Sequence, residues 1–178
     1  MVDTYGFDGV RIDTIPEVPK DFWTEFGQAA GVFQMGECFN GDPAYVGPYQ
    51  NNVTGLFNYP MYYTINDVFG NGQYMGNIKQ RYDAEASHFK DLDALGLFVD
   101  NHDNARFLHN HGGANKQLQN AVVFSLTGRG IPFVYYGTEQ YYGGGNDPQN
   151  RESLWQAMNT GSDFYNMIAK VNAQRKKS

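Results

Sequence analysis

Gly9-Val10-Arg11-Ile12-Asp13 is the stretch on which the reading of this chain turns. A short apolar run behind a glycine reads as a strand, and this one ends in a carboxylate. Met35-Gly36-Glu37 and Asn101-His102-Asp103 repeat the theme after apolar runs of their own. In α/β folds, parallel strands deliver their C-terminal tips onto one face, where the groups that do chemistry collect. Three acidic tips in one chain therefore predict a carboxylate-based active site.

Between and beyond these tips, strand and helix patterns alternate. After the strand Val10 to Ile12, the segment from Pro19 to Ala30 reads as a helix. It places Phe22, Trp23, Phe26, Ala29 and Ala30 on one face, with Gly31 as its left-handed cap. Val32 to Gly36 is a second strand, Asp42 to Asn52 a loop rich in Gly, Pro and Asn, and Gly55 to Tyr59 a third strand. From Pro60 a helix runs to Arg81, interrupted around Gly70-Asn71-Gly72. Leu95 to Val99 is a fourth strand, apolar throughout as a parallel strand covered on both faces should be. Lys116 to Thr127 is helical with Leu118, Ala121, Val122 and Ser125 in register, and Ile131 to Tyr136 is a fifth strand. Ser162 N-caps a last helix that turns Phe164, Met167, Ile168 and Val171 inward. Strands alternating with helices imply βαβ units and a parallel sheet, so the fold class is α/β with five such units.

The composition narrows the function. With 178 residues, 41% hydrophobic and 18% charged, the chain is a globular domain long enough for a sizeable core. A net charge of −6 argues against nucleic acid as a partner, because phosphate binding needs a basic footprint. The one basic cluster, Arg175-Lys176-Lys177, suits a helix C-terminus. The 13 tyrosines serve either as core or as platforms for sugar faces. Cys38 stands alone and reads as a buried strand-end residue, since nothing beside it would lower a thiol pKa. No apolar run reaches the roughly 18 residues of a membrane span. Met1-Val2-Asp3 lacks the basic-then-apolar opening of a signal peptide.

Arg11 and Asp13 are two apart and share one strand face, so the arginine can hold the carboxylate ionised and aimed. The bland alternative for Asp13 is a salt bridge or a helix cap, and for Glu37 a structural strand end. Consecutive parallel strands pair about 4.8 Å apart. That brings Asp13 and Glu37 toward the carboxyl spacing of about 5–5.5 Å at which one acid attacks a glycosidic carbon and the other protonates the leaving oxygen. Their proximity raises one pKa, which suits Glu37 as the acid. Asn101-His102-Asp103-Asn104 can grip hydroxyls or, alternatively, ligate a metal. His109 and His111 read as solvated loop. Tyr141 to Asp147, rich in glycine, lacks the lysine and hydroxyl of a phosphate loop and reads as a flexible substrate loop.

Taken together, these residues resemble the α-amylase family of retaining glycoside hydrolases, fungal-type members most closely. The matching blocks are Asp8-Gly-Val-Arg-Ile-Asp13, Met35-Gly-Glu37, Phe98-Val-Asp-Asn-His-Asp-Asn104 and Gly143-Gly-Gly-Asn-Asp-Pro-Gln-Asn-Arg151. Asp42-Pro-Ala-Tyr45 and Pro48-Tyr-Gln-Asn51 match as well. The resemblance implies cleavage of internal α-1,4-glucosidic bonds of starch-like glucans through a covalent glycosyl-enzyme. Asp13 would be the nucleophile, Glu37 the acid/base and Asp103 the transition-state stabiliser. Arg11 would orient Asp13, His102 would bind sugar hydroxyls, and Asp147 with Arg151 would line the donor side. The rivals are a glucanotransferase of the same family and a non-catalytic carbohydrate-binding or scaffold protein on the same fold, though the latter would usually have lost acids that are present here.

The departures matter too. Pro16 and Glu17 stand where the family often carries Lys-His on the acceptor side, a departure that would alter the contact there, and with it chain-length preference or transglycosylation, with Glu17 the candidate substrate-binding residue. Gly47 replaces a disulfide cysteine. A (β/α)8 barrel takes about 250 residues, and residues 1–178 supply only units resembling the fourth to the eighth. The inserted calcium-binding domain and the C-terminal β-domain are not represented. Calcium, expected for the family, would find an incomplete site to which Glu17 adds at most a carbonyl, so no metal ligand is assigned. The expected fold is a partial TIM barrel with two open edges and an uncovered core face. A homodimer in which partner strands stand in for the missing ones would cover them, as would a separate chain carrying the first three strands. By resemblance the setting is extracellular or digestive.

Overall fold

Five parallel strands form one sheet in chain order: β1 (Gly9–Ile12), β2 (Phe33–Gly36), β3 (Gly55–Phe57), β4 (Leu95–Leu97) and β5 (Ile131–Pro132). The computed structural model describes residues 2–177. Met1, the start of the segment tested for a leader, and Ser178, the end of the expected catalytic span, lie outside the described residues. Each strand pairs with the next, with Gly9 opposite Phe33, Met35 opposite Gly55, Leu56 opposite Leu95 and Gly96 opposite Ile131. A parallel sheet whose connections all step one strand in the same direction winds toward a barrel. Arg11 on β1 and Phe133 and Tyr135, just past β5, line one concavity, so the sheet curls.

Helices α1 (Val2–Tyr5), α2 (Lys20–Ala30), α3 (Pro43–Val46), α4 (Tyr59–Ile65), α5 (Gly76–Ala86), α6 (Phe107–Asn110), α7 (Asn115–Thr127) and α8 (Asp163–Arg175) complete the chain. The core has two main parts. Ile12, Ile15, Trp23, Val46, Leu56 and Leu95 fill the β1–β3 side. Met61, Ile65, Leu97, Leu118, Leu126 and Phe164 fill the β4–β5 side. Each such aliphatic side chain contributes about 1.5–3 kcal/mol on burial. Gly55 is required by close approach, since a Cβ there would lie 2.3 Å from the Ala94 carbonyl oxygen.

Several elements are as the pattern predicts. Gly31 ends α2 at φ 66°, and Leu118, Ala121, Val122 and Ser125 of α7 are buried. Ser162 Oγ accepts from Tyr165 N at 3.2 Å to cap α8, and Phe164 is buried. Others differ. The expected loop from Asp42 to Asn52 is α3 followed by the 3-10 turn Gly47–Asn51, because Asp42 Oδ1 accepts from Ala44 N at 2.9 Å with Pro43 in the first turn. The third strand stops at Phe57, since Asn58 Oδ1 accepts from Met61 N at 2.9 Å and starts α4. The helix after Pro60 breaks into α4, the π-turn Asn66–Gly70 and α5, which continues past Arg81 to Ala86. The fourth strand ends at Leu97 rather than Val99. The fifth ends at Pro132 rather than Tyr136, after one further bond from Phe133 N to Leu97 O. Phe22 and Ala29 are exposed, because α2 buries only the stripe centred on Trp23 and Phe22 merely edges its ring. No helix among the described residues is long and apolar enough to cross a membrane.

Candidate active site

Register places the first two acids. Ile12 lies opposite Gly36, so the next residues, Asp13 and Glu37, leave neighbouring strand tips together. Backbone bonds continue past the strands, from Glu37 N to Ile12 O at 2.8 Å and from Ile15 N to Glu37 O at 3.0 Å. Thr14 turns the chain with a left-handed backbone, φ 42° and ψ 50°, which a β-branched residue adopts only under constraint. Its N–H points at Glu37 Oε2 at 3.4 Å.

Arg11 Nη2 lies 3.1 Å from Asp13 Oδ1 and 3.1 Å from Glu37 Oε2. The environments of the two acids diverge, with the Asp13 side chain 69% exposed and that of Glu37 6%. A hydrogen bond with Glu37 and the Arg11 charge hold Asp13 below the usual carboxylate range. Burial, then the Asp13 carboxylate, push Glu37 up, with Tyr59 and Arg11 opposing. The Tyr59 hydroxyl donates to Glu37 Oε1 at 3.0 Å and accepts from Asn101 Nδ2 at 2.9 Å.

The third acid sits on the loop after β4. Asn101 Oδ1 accepts from Asp103 N at 3.1 Å and Asn104 N at 3.0 Å, and Asn150 Nδ2 donates to the carbonyls of His102 and Asn104, both at 2.8 Å. His102 Nε2 lies 3.3 Å from Asp103 Oδ2, and Arg151 Nη2 3.9 Å from Asp103 Oδ1. Arg151 Nε pairs with Asp147 Oδ1 at 3.1 Å. Glu37 and Asp103 both act on the Tyr59 hydroxyl, and the charge of His102 reaches Asp13. The curl thus brings Arg11, Asp13, Glu37, His102, Asp103, Asp147 and Arg151 to one end of the sheet. Of these, Arg11, Glu37 and His102 line a concavity of ≈ 280 Å³ together with Phe57, Phe98 and Phe133. Glu17 is exposed at the end of the 3-10 turn Ile15–Glu17, which follows Asp13 and Thr14.

Three readings change. The glycine-rich loop is pinned: Gly144 N donates to Glu152 Oε1 at 2.6 Å, Arg106 N to Gly144 O at 3.0 Å, and Tyr141 stacks inward on Phe164. His111 is half-buried against Phe107, with Nε2 3.1 Å from Asn66 Oδ1, while His109 alone is solvated. Tyr59, expected on a strand, is the hydroxyl that meets Glu37, and Asn58-Tyr59-Pro60 held the helix-start signal that would have placed it. Arg106 was missed altogether. Its buried guanidinium bonds Glu152 Oε2 at 3.0 Å and the Tyr136 carbonyl at 2.7 Å and lies over the Tyr135 ring at 4.2 Å. Cys38 is buried as expected, and burial pushes its thiol up to about 11.

The family described as alpha amylase, catalytic domain, matches residues 1–177. The chain is 48% identical over 182 residues to a beta/alpha-amylase of Paenibacillus polymyxa, covering 98% of this chain and 15% of that protein. It is 42% identical over 177 residues to alpha-amylase 1 of Lipomyces kononenkoae, covering 98% of this chain and 28% of that one. Among solved structures, an alpha-amylase from Malbranchea cinnamomea superposes with a TM-score of 0.93 at 39% identity, over 98% of this chain and 37% of the other. A cyclomaltodextrin glucanotransferase with a three-domain ABC distribution gives 0.87 at 26% identity, over 99% and 38%. The chain therefore spans well under half the length of each protein it is compared with. It belongs to the α-amylase catalytic-domain family.

Proposed function

We propose that this chain carries the machinery for cleaving internal α-1,4-glucosidic bonds of starch-like glucans with retention. Asp13 attacks the anomeric carbon, and the protonated Glu37 gives its proton to the departing glycosidic oxygen. Glu37 then takes a proton from the water that attacks the glycosyl-enzyme and releases Asp13. The observation that carries this reading is the single Arg11 guanidinium 3.1 Å from both carboxyls, with Asp13 in water and Glu37 buried. One acid is held ionised and the other is biased toward its protonated form, the division of labour that retaining chemistry needs. Asp103, between His102 and Arg151, stabilises the oxocarbenium-like centre. Arg11 orients the nucleophile, His102, Asp147 and Arg151 take sugar hydroxyls, and Glu17 meets the acceptor. Among the described residues no group of three or more His, Cys, Asp or Glu side chains is placed to hold a metal ion.

The purified chain should release reducing sugar from soluble starch, with the α-anomer as first product by proton NMR. Glu37→Gln should abolish release. No release by the wild type, release that survives the substitution, or a β-anomer would overturn the reading. The likeness to a glucanotransferase supports a second reading, transfer to a sugar acceptor instead of water. Disproportionation of a single maltooligosaccharide into longer and shorter products would favour it.

For the chain in solution we propose a homodimer. The support is the two outer strands, each paired on one side only, with Phe133, Val134 and Tyr136 exposed beside β5 and Gly9 exposed on β1.

A further inference from the structure

The third acid sits on the loop after β4, yet its backbone is gripped from the loop after β5. Asn150 is fully buried, and its Nδ2 donates to the carbonyls of His102 and Asn104, both at 2.8 Å. These are the residues immediately before and after Asp103. Asn101 Oδ1 takes the N–H groups of Asp103 at 3.1 Å and Asn104 at 3.0 Å. The peptide group entering Asp103 thus has its C=O on Asn150 and its N–H on Asn101.

The residue type fits this task. One planar NH2 group supplies two donors, whereas a serine supplies one and an ionised aspartate none. Asn150 Oδ1 completes no hydrogen bond among the described residues, so the amide is turned wholly toward the two carbonyls. The turn that carries it is braced. The Asn150 carbonyl accepts from the Tyr135 hydroxyl at 3.3 Å, while Gln149 N and Arg151 N donate back to the carbonyls of Asn146 and Pro148 at 2.8 and 3.1 Å.

We propose that Asn150 is a positioning residue for Asp103: by holding the carbonyls on either side, it fixes the backbone from which the carboxylate meets His102 and Arg151. This rests on the reading of Asp103 as the group that stabilises the oxocarbenium-like centre. A carboxylate that acts on the transition state loses rate when it is displaced, and ground-state binding stays as it was.

Asn150→Ala should lower kcat on starch by about 10- to 100-fold, with KM within about twofold. In an Asp103→Asn background the same change should cost less than about threefold, because the group it positions is already gone. Amide hydrogen exchange followed by NMR reads the grip without turnover. Asp103 and Asn104 should exchange about tenfold faster or more in Asn150→Ala, with Leu118 and Val122 of α7 unchanged. If Asn150→Ala does not fold, Asn150→Ser, which keeps one donor, should move the same quantities in the same direction. Wild-type exchange at Asp103 and Asn104, exchange that quickens equally in α7, a kcat that does not fall, a rise in KM in its place, or an equal loss in the Asp103→Asn background overturns the proposal. If the wild type leaves starch untouched but exchange at Asp103 and Asn104 still follows Asn150, the grip stands and only the catalytic assignment falls.

Discussion

One guanidinium serving two carboxyls makes Arg11 the side chain whose loss should separate catalysis from stability. Arg11 and Asp13 are exposed, so their ion pair contributes little to folding. Yet the pair sets which acid is ionised. Arg11→Leu should cut starch hydrolysis by about two orders of magnitude while shifting the urea midpoint by less than about 1 kcal/mol equivalent. Unchanged hydrolysis would remove Arg11 from the site. Glu85 offers the opposite test. Burial raises it to about 7 from 4.5. Between those values the unfolded chain sheds the proton and the folded chain keeps it, so stability falls as pH rises through this window and then levels. The total is about 3 kcal/mol, and Glu85→Gln should abolish that slope in urea titrations at pH 4.5 to 8. Equal slopes in both proteins would show that Glu85 is ionised in the fold. At this scale the sequence revealed what is local: Arg11 and Asp13 by their i, i+2 spacing, Glu37 by parallel adjacency. Arg106 was invisible because Glu152 and Tyr136 lie 46 and 30 residues away.

Among the elements, helices were easier to read than strands. The 3.6-residue period of α7 and the serine ahead of α8 are written in neighbouring residues, whereas a strand's end depends on where its partner stops. Hence the fourth and fifth strands were each read too long: β5 is paired along one side only, and its partner β4 ends at Leu97. The stretch after Asp42 was misjudged for a different reason. Gly, Pro and Asn mark turns, but Asp followed by Pro also opens a helix. Capping can be checked directly, since Ser162→Ala should cost about 1 kcal/mol of stability by urea denaturation. No loss would mean that Tyr165 N finds another partner.

At the scale of the molecule, five strands describe an arc rather than a closed ring. The order and direction of the five units followed from alternating patterns, but the curl did not, because no single stretch encodes it. It is visible only where β1 and the segment past β5 share one concavity. If a second copy covers the two outer strands, light scattering should give twice the mass of 20.1 kDa. Val134→Lys, beside the open edge, should then return the monomer. A monomer from the start, soluble and binding no apolar dye, would sink the dimer.

The tie between the loops after β4 and β5 bears on how this scaffold can be rebuilt. Arg106 and Asn150 send their bonds across the gap in both directions, to Gly144 and Glu152 one way and to His102 and Asn104 the other. A chimera with its crossover between β4 and β5 would separate donors from acceptors inherited from different parents. Residues 101–106 and 143–152 are thus one transplantable cassette, and libraries that vary substrate preference here should exchange the two loops together.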